Sequence, residues 1–370
     1  GMPLVSGGYG CVFKPALNCA NPKLTKKNGI SKLMQSRYAD QEINEINKVK
    51  PFIEKIPNNQ NYFLVSDINS CEPAPLLKTD KFGFNEKCLN LVPNFNYNNV
   101  NDNLDKLKII NIPYGGISIR DYFKKTTNQI LAKIDKKKIL ENFYRTNISM
   151  IQLLNNGIIP LNKFNFLHMD VKADNILYKV DGDISSSKYE IYTRLIDWGL
   201  SGHYNENKLP QFVINKYIQF NNPFGIVLFE EEINNDFLYN VYVKYRGDSK
   251  LVAREIYNRF CRGKGHNIYI LDILDKIFKK KYGNKFSYSF SEKIIINNIA
   301  TILRKYVDDN NYLDKISYFK EVFSKNVDIY GFLMSYWPII AETISMQNNP
   351  FNNPLTNKIT NILIEYCFST

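Results

Sequence analysis

The apolar positions of the first fifty residues change period twice. Val5-Ser6-Gly7-Gly8-Tyr9-Gly10-Cys11-Val12-Phe13-Lys14 reads as a strand, a glycine-rich turn and a second strand, and residues 29–34 read as a further strand carrying Lys32. From 38 to 53 the spacing becomes helical, with Ile43, Ile46, Val49 and Ile53 on one stripe and Pro57 closing the segment. Glu42 lies within that stripe, whereas Glu45 is turned about 95° from its centre. Glu42 is therefore the acid expected to reach inward and pair with Lys32, and Glu45 the solvated one. A strand is expected at 62–65. The Pro- and Asn-rich span that follows, to about 105, has no period and reads as an irregular insertion. Residues 107–112 resume a strand and run into Pro113-Tyr114-Gly115-Gly116, a turn suited to a hinge. Helical spacing returns at 117–123 and 139–156, the second with Leu140, Phe143, Ile148, Ile151 and Leu154 as its apolar positions. Further on, 251–260, 268–278, 294–306 and 313–323 carry the repeats of packed helices, an all-α block over about 230–325.

Between these patterned stretches lies His168-Met169-Asp170-Val171-Lys172-Ala173-Asp174-Asn175-Ile176-Leu177, answered by Leu195-Ile196-Asp197-Trp198-Gly199. The first offers a carboxylate (Asp170), a cation (Lys172) and an amide oxygen (Asn175), a spacing that a short extended loop can aim into one cleft. The second adds the carboxylate of Asp197 after an apolar run. Phosphoryl transfer needs a group to orient the attacking hydroxyl, positive charge on the transferred group and oxygen ligands for magnesium, and these residues supply all three. The glycines of the N-terminal turn let backbone N–H groups approach phosphate oxygens, although a glycine-rich hairpin alone is usually only a hairpin.

Composition narrows the setting. A chain of 370 residues can bury a large core and form more than one domain, and 44% hydrophobic with 14% aromatic content is globular. No apolar run approaches the ~20 residues that span a bilayer, so no membrane association is expected. Gly1-Met2 reads as a remnant of tag removal with no secretory signal behind it, so export is not expected. The six cysteines are scattered, with no Cys-x-x-Cys pair and three histidines, and read as reduced intracellular thiols, neither a zinc site nor a disulfide frame. A net charge of +12 and a pI near 9.1 would suit nucleic acid or a membrane surface. The lysines are spread among Asn, Ile and Tyr throughout, as an A/T-rich coding sequence would give, and no nucleic-acid partner is expected.

The order of parts resembles the eukaryotic-type protein kinase superfamily: glycine-rich loop, strand lysine, helix glutamate, hinge, His-x-Asp-x-Lys-x-x-Asn loop, then Asp-x-Gly. Residues 4 to about 225 carry the resemblance. Its form, with Gly-Gly-Tyr-Gly-Cys-Val-Phe-Lys-Pro near the start and Gln219-Phe220-Asn221-Asn222-Pro223-Phe224 later, is similar to divergent serine/threonine kinases of large DNA viruses. The resemblance implies a bilobal α+β fold. Residues 1–114 would be a small antiparallel β-sheet lobe with one main helix and the irregular insertion at about 66–105. Residues 115–370 would be a mainly helical lobe with the α-helical insertion. It further implies ATP and Mg2+ as cofactors and a serine/threonine protein substrate. Asp170 would accept the hydroxyl proton and Lys172 steady the γ-phosphate, while Asn175 and Asp197 would hold magnesium. Lys32, held by Glu42, would bind the α/β-phosphates under Gly7, Gly8 and Gly10, with Val5 at the loop entrance, and Val12, Ile30 and Leu177 would sandwich the adenine. His168 and Trp198 become packing residues, and the Asp328 helix resembles the one whose aspartate supports the catalytic loop.

Departures from the pattern carry expectations of their own. Val5 replaces the first glycine of the loop. Met169 stands where kinases switched by phosphorylation have an arginine, and residues 202–248 contain no serine or threonine, so activity without an activating phosphoserine or phosphothreonine is expected unless Ser201 or Tyr204 serves. The usual threonine bridging the catalytic Asp and Lys is missing, as is Ala-Pro-Glu, which leaves Asn221 and Asn222 as candidates to supply substrate-docking amides. Arg254, Arg259, Arg262, Lys264, Lys279, Lys280 and Lys281 of the helical block would fit an acidic partner or form the solvated face of a basic protein, and the solvated face is preferred. A monomer in the cytoplasm is expected, or in host cytoplasm or virion if the chain is viral. Two other readings remain open. A small-molecule kinase of the choline or aminoglycoside type shares the His-x-Asp-(four residues)-Asn pattern, and a pseudokinase scaffold would bind partners through the insertion.

Overall fold

The computed structural model describes residues 1–26, 28–131, 136–183, 188–283, 288–345 and 353–368, which fall into two compact units, Gly1–Gly116 and Ile117–Thr370. The first is built on β1 (Met2–Ser6), β2 (Gly10–Lys14), β3 (Gly29–Gln35), β4 (Asn69–Cys71) and β5 (Leu107–Pro113), paired antiparallel in the order β1-β2-β3-β5-β4. Two helices join it, α1 (Ser36–Ile53) and the short α2 (Phe84–Lys87).

Alternation along β3 gives the sheet two apolar faces. Met34 and Ile110 of one face pack with Ala39 of α1, and the expected stripe of that helix, Ile46, Val49 and Ile53, is buried with it. On the other face Cys11, Phe13, Leu33 and Ile109 pack against Leu76, Phe84, Leu91, Phe95 and Val100. The 66–105 segment is thus half of the core of this unit. It carries the strand β4, the turn of helix α2 and a 3-10 stretch, Val100–Lys106. Its apolar residues show no period because separate turns present them one at a time. The expected strand at 62–65 does not form. That stretch follows a 3-10 turn, Phe63 makes a single β-bridge, and Phe63 and Val65 are buried, so its apolar signal reports packing more than a continuous strand.

The cysteine reading is corrected here. Cys11 is bonded to Cys88 and Cys19 to Cys71, while Cys261 and Cys367 are free and buried. The partners are 77 and 52 residues apart, so local spacing could not reveal them. They meet because the 66–105 segment folds back over the sheet. The reading of all six cysteines as reduced thiols is thus overturned for these four. No helix among the described residues is long and apolar enough to cross a membrane.

The second unit begins with β6 (Ile117–Ser118), α3 (Ile119–Leu131) and α4 (Lys136–Leu153), then a π-turn leads into α5 (Ile159–Lys163). Next come β7 (Phe166–Leu167), β8 (Ile176–Asp183), β9 (Lys188–Leu195) and β10 (Gly202–His203), which form a three-stranded sheet β6-β8-β9 and a two-stranded sheet β10-β7. The rest is helical: α6 (Asn235–Lys244), α7 (Ser249–Ile256), α8 (Asn267–Tyr282), α9 (Tyr288–Tyr306), α10 (Lys315–Tyr318), α11 (Ser324–Met334), α12 (Trp337–Ser345) and α13 (Pro354–Cys367). Side-chain caps start several of them, Asn234 on Phe237 N, Asp248 on Lys250 N and Leu251 N, and Asp314 on Ser317 N. The chain as a whole is mixed α and β, with antiparallel sheet and many helices. On α4 the expected stripe holds in part: Phe143 is buried and Leu154 half-buried, but Leu140, Ile148 and Ile151 are exposed, and Ile139, Met150 and Leu153 face the core in their place. The helix carries apolar residues on more than one face, so spacing alone could not choose between them.

Candidate active site

In the first unit the pairing of Val12 with Lys32 and of Ile30 with Ile112 places half-buried Val12, Ile30 and Lys32 on the face that α1 covers. Lys32 Nζ donates to Glu42 Oε2 at 2.5 Å, with both side chains about one quarter exposed or less. Glu45 instead accepts from Gln41 on the exposed side of the helix. The glycine-rich turn closes through Gly7 N to Gly10 O at 2.7 Å. Each glycine has a different reason to be one. A Cβ on Gly10 would lie 2.5 Å from Leu33 O, so the close approach of β2 and β3 requires it. A Cβ on Gly7 would touch Lys32 Cε at 3.4 Å, and one on Gly8 would meet nothing within 4 Å. No protein atom therefore explains Gly8. Val5 is exposed on β1 opposite Val12.

In the second unit, strand pairing brings two loops together. Leu167 pairs with Gly202 and Ile176 with Leu195, so residues 168–175 and 196–201 are tied at both ends. Ile196 N donates to Asn175 O at 3.0 Å, which draws Asn175 and Asp197 into the same corner. Beneath the first loop lies Asp328 of α11, which is buried. Its Oδ2 accepts from His168 N at 2.8 Å and Asn162 Nδ2 at 2.7 Å, and its Oδ1 from Met169 N at 2.8 Å. Met169 adopts φ 66°, a left-handed conformation that costs a non-glycine residue energy and that the bonds to Asp328 hold in place. Gly331 of the same helix approaches so closely that a Cβ there would lie 2.5 Å from Val171 O.

Asp170 is buried, and both oxygens of its carboxylate accept hydrogen bonds. Oδ2 accepts from Lys172 Nζ at 2.6 Å and from Asn175 Nδ2 at 2.9 Å, and Oδ1 accepts from Asn221 Nδ2 at 2.9 Å. Three N–H donors fix its orientation. His168 is fully buried, with Nε2 3.1 Å from Ile196 O, Nδ1 facing Asp170 N, and its ring against Trp198. It is a packing residue. Asp197 is exposed at φ 72° and pairs with no cation among the described residues. The amide nitrogen of Asn175 is spent on Asp170, while its Oδ1 accepts no hydrogen bond among the described residues. The oxygens of Asp197 and Asn175 are thus the two hard donors the corner offers. That suits Mg2+, which is bound through one or two protein oxygens plus phosphate and water. No group of three or more His, Cys, Asp or Glu side chains able to hold a metal occurs among the described residues. Leu177 is half-buried on β8, opposite Ser118 and Arg194.

Several contacts of the site have no sequence pattern. Asn221 and Asn222 were expected to present amides to a substrate, but both are buried. Asn221 faces Asp170 and Val171 O, and Asn222 faces Gln219. Arg120, at the start of α3, grips Asp174 with two bonds of 2.6 and 2.9 Å, and this contact raises its pKa further above the usual guanidinium range. Of the basic residues of the helical block, Arg259 lies against Glu232 and Lys279 against Asp275.

The chain matches no family model and no curated protein. One solved structure similar to it is a crystal structure of a kinase domain from Plasmodium, aligned over 99% of this chain and 93% of that chain at 11% identity, with a TM-score of 0.33. At that score the likeness carries no weight for function, which is read from the residues of this chain.

Proposed function

We propose that this protein is an ATP- and magnesium-dependent kinase that transfers the γ-phosphoryl group to serine or threonine hydroxyls of protein substrates. The observation that carries the reading is the Asp170 carboxylate, held by Lys172, Asn175 and Asn221 on a loop whose backbone is bonded to buried Asp328. A surface acid gains nothing from such an arrangement, whereas a group that must orient a hydroxyl and take its proton does. Asp170 orients the hydroxyl and accepts its proton, and Lys172 places positive charge beside the transferred group. Lys32, steadied by Glu42, is assigned to the α/β-phosphates together with Gly7, Gly8 and Gly10, and Val12, Ile30 and Leu177 are assigned to the adenine. Asn175 and Asp197 hold magnesium, which neutralises charge on the phosphates. The pairing of Lys32 with Glu42 and the fixed backbone at Met169 support activity without a phosphate switch. The protein is read as a monomer, and the relation to kinases of large DNA viruses rests on the motif residues.

The test is transfer from γ-labelled ATP to a mixed protein substrate by the wild type and by Asp170→Asn. Transfer by the wild type that falls at least about a thousandfold in the variant is expected, the scale at which loss of an acting catalytic group is felt. Equal activity in both would sink the assignment of Asp170. Transfer to a metabolite but to no protein would replace the substrate class.

A further inference from the structure

The glycine-rich turn is held by a residue outside the motifs read from the sequence. Asn90 sits on the 66–105 segment, and its side-chain Nδ2 donates to Gly7 O at 2.5 Å and Gly8 O at 3.3 Å, while its backbone N–H donates to Ser6 Oγ at 3.1 Å. Its neighbours fix it. Cys88 is bonded to Cys11 of β2, one residue beyond the turn, and Leu91 is wholly buried against the sheet. Asn90 is itself exposed, so these bonds are not a by-product of core packing.

In a trans peptide the C=O and the N–H that follows it point in opposite directions. Holding the carbonyls of Gly7 and Gly8 toward Asn90 therefore turns the N–H groups of Gly8 and Tyr9 the other way. Neither N–H makes a hydrogen bond among the described residues. Two adjacent free N–H groups, on a turn whose Gly7 lies against the Lys32 side chain, suit the oxygens of a phosphate chain. We propose that Asn90 is a positioning residue for nucleotide binding, that it presets the turn with Gly8 and Tyr9 N–H aimed at the phosphates, and that the Cys11–Cys88 bond holds it there. A free glycine-rich turn would lose conformational freedom on each binding event, and a preset one would not.

The inference rests on the kinase reading, and the experiment separates the two. Asn90→Ala, the pair Cys11→Ser/Cys88→Ser and the control pair Cys19→Ser/Cys71→Ser are compared with the wild type for KM of ATP, kcat and affinity for ATP with magnesium by calorimetry. Asn90→Ala and Cys11→Ser/Cys88→Ser are expected to raise KM and Kd for ATP about tenfold, with the smaller part of any loss in kcat. The control pair should melt earlier yet keep its KM for ATP, since Cys19–Cys71 does not touch the turn. An unchanged KM in Asn90→Ala, or an equal rise in the control pair, overturns the proposal and leaves the kinase reading standing. If the wild type neither binds ATP nor transfers phosphate, that reading fails and amide exchange at Gly7, whose N–H is bonded to Gly10 O, decides for the turn. Faster exchange in Asn90→Ala keeps its presetting role, and unchanged exchange removes it.

Discussion

At the residue scale the site depends on side chains that bond to the loop from far along the sequence. Asn221 reaches Asp170 across 51 residues and is buried, with its own Oδ1 lacking a hydrogen-bond partner among the described residues. Its Nδ2 bond is made to a carboxylate oxygen, and charge-assisted bonds of that kind are the stronger ones. Asn221→Ala should therefore cost about 1.5–3 kcal/mol of stability, the worth of a hydrogen bond to a charged group. It should also lower kcat by about tenfold to a hundredfold through misplacement of Asp170, while KM for ATP stays near the wild-type value. Asn221→Asp should be worse in both respects, because it sets a second carboxylate against the first in a buried site. Thermal melts and steady-state kinetics of the two variants check this, and an Ala variant with wild-type kcat would remove Asn221 from the positioning of Asp170. The sequence was legible where one residue type at one spacing has one physical use. Glu42 could be chosen over Glu45 from its angle on the helix, and Asp170, Lys172 and Asn175 from their spacing. Asn90, Asn221 and Arg120 could not be read that way, because the long-range partner of such an Asn or Arg shows only once the chain has folded.

At the element scale the distinction is between periodic and aperiodic burial. The helix Ser36–Ile53, the strands Gly29–Gln35 and Leu107–Pro113 and the helices of the 230–325 block announced themselves, since one face buried along a regular element imposes a period on the sequence. The 66–105 segment buries Leu76, Phe84, Leu91, Phe95 and Val100 from separate turns and so left none. The same blindness hid the disulfides and the three-residue strand β4, whose Asn69-Ser70-Cys71 carries no alternation. Two phenylalanines on this segment make a paired test. Phe84 is 1% exposed and lies 6.2 Å from Phe13 between ring centroids, whereas Phe82 is 75% exposed. Phe84→Ala should destabilise by about 3–5 kcal/mol through lost burial and a residual cavity. Phe82→Ala should stay within about 0.5 kcal/mol. Chemical denaturation of the two variants measures both. Similar small costs would return the segment to the status of an irregular insertion.

At the scale of the whole molecule the two units differ in how they are held. Both disulfides close within Gly1–Gly116, one around a stretch of 77 residues and the other nested inside it around 52. On the chain-entropy account a loop of that length contributes roughly 4 kcal/mol, and the nested bond less, since the outer one has already restricted its ends. The second unit holds only free, buried thiols, and burial raises the pKa of Cys261 to about 12, so little reactive thiolate is present at neutral pH. Two measurements follow from this asymmetry. In denaturant without reductant, thiol titration should find two groups, Cys261 and Cys367, and all six after reduction. Hydrogen exchange of the folded protein should rise on reduction across the 66–105 segment and the strands Gly10–Lys14 and Gly29–Gln35, because those are the parts the bonds join, and should stay unchanged through Ile117–Thr370. Six thiols without reductant would restore the reduced reading of the sequence and leave Asn90 to hold the glycine-rich turn by its hydrogen bonds alone. A uniform rise through both units would mean that the bonds stabilise the whole chain, and that the first unit has no separate dependence on them.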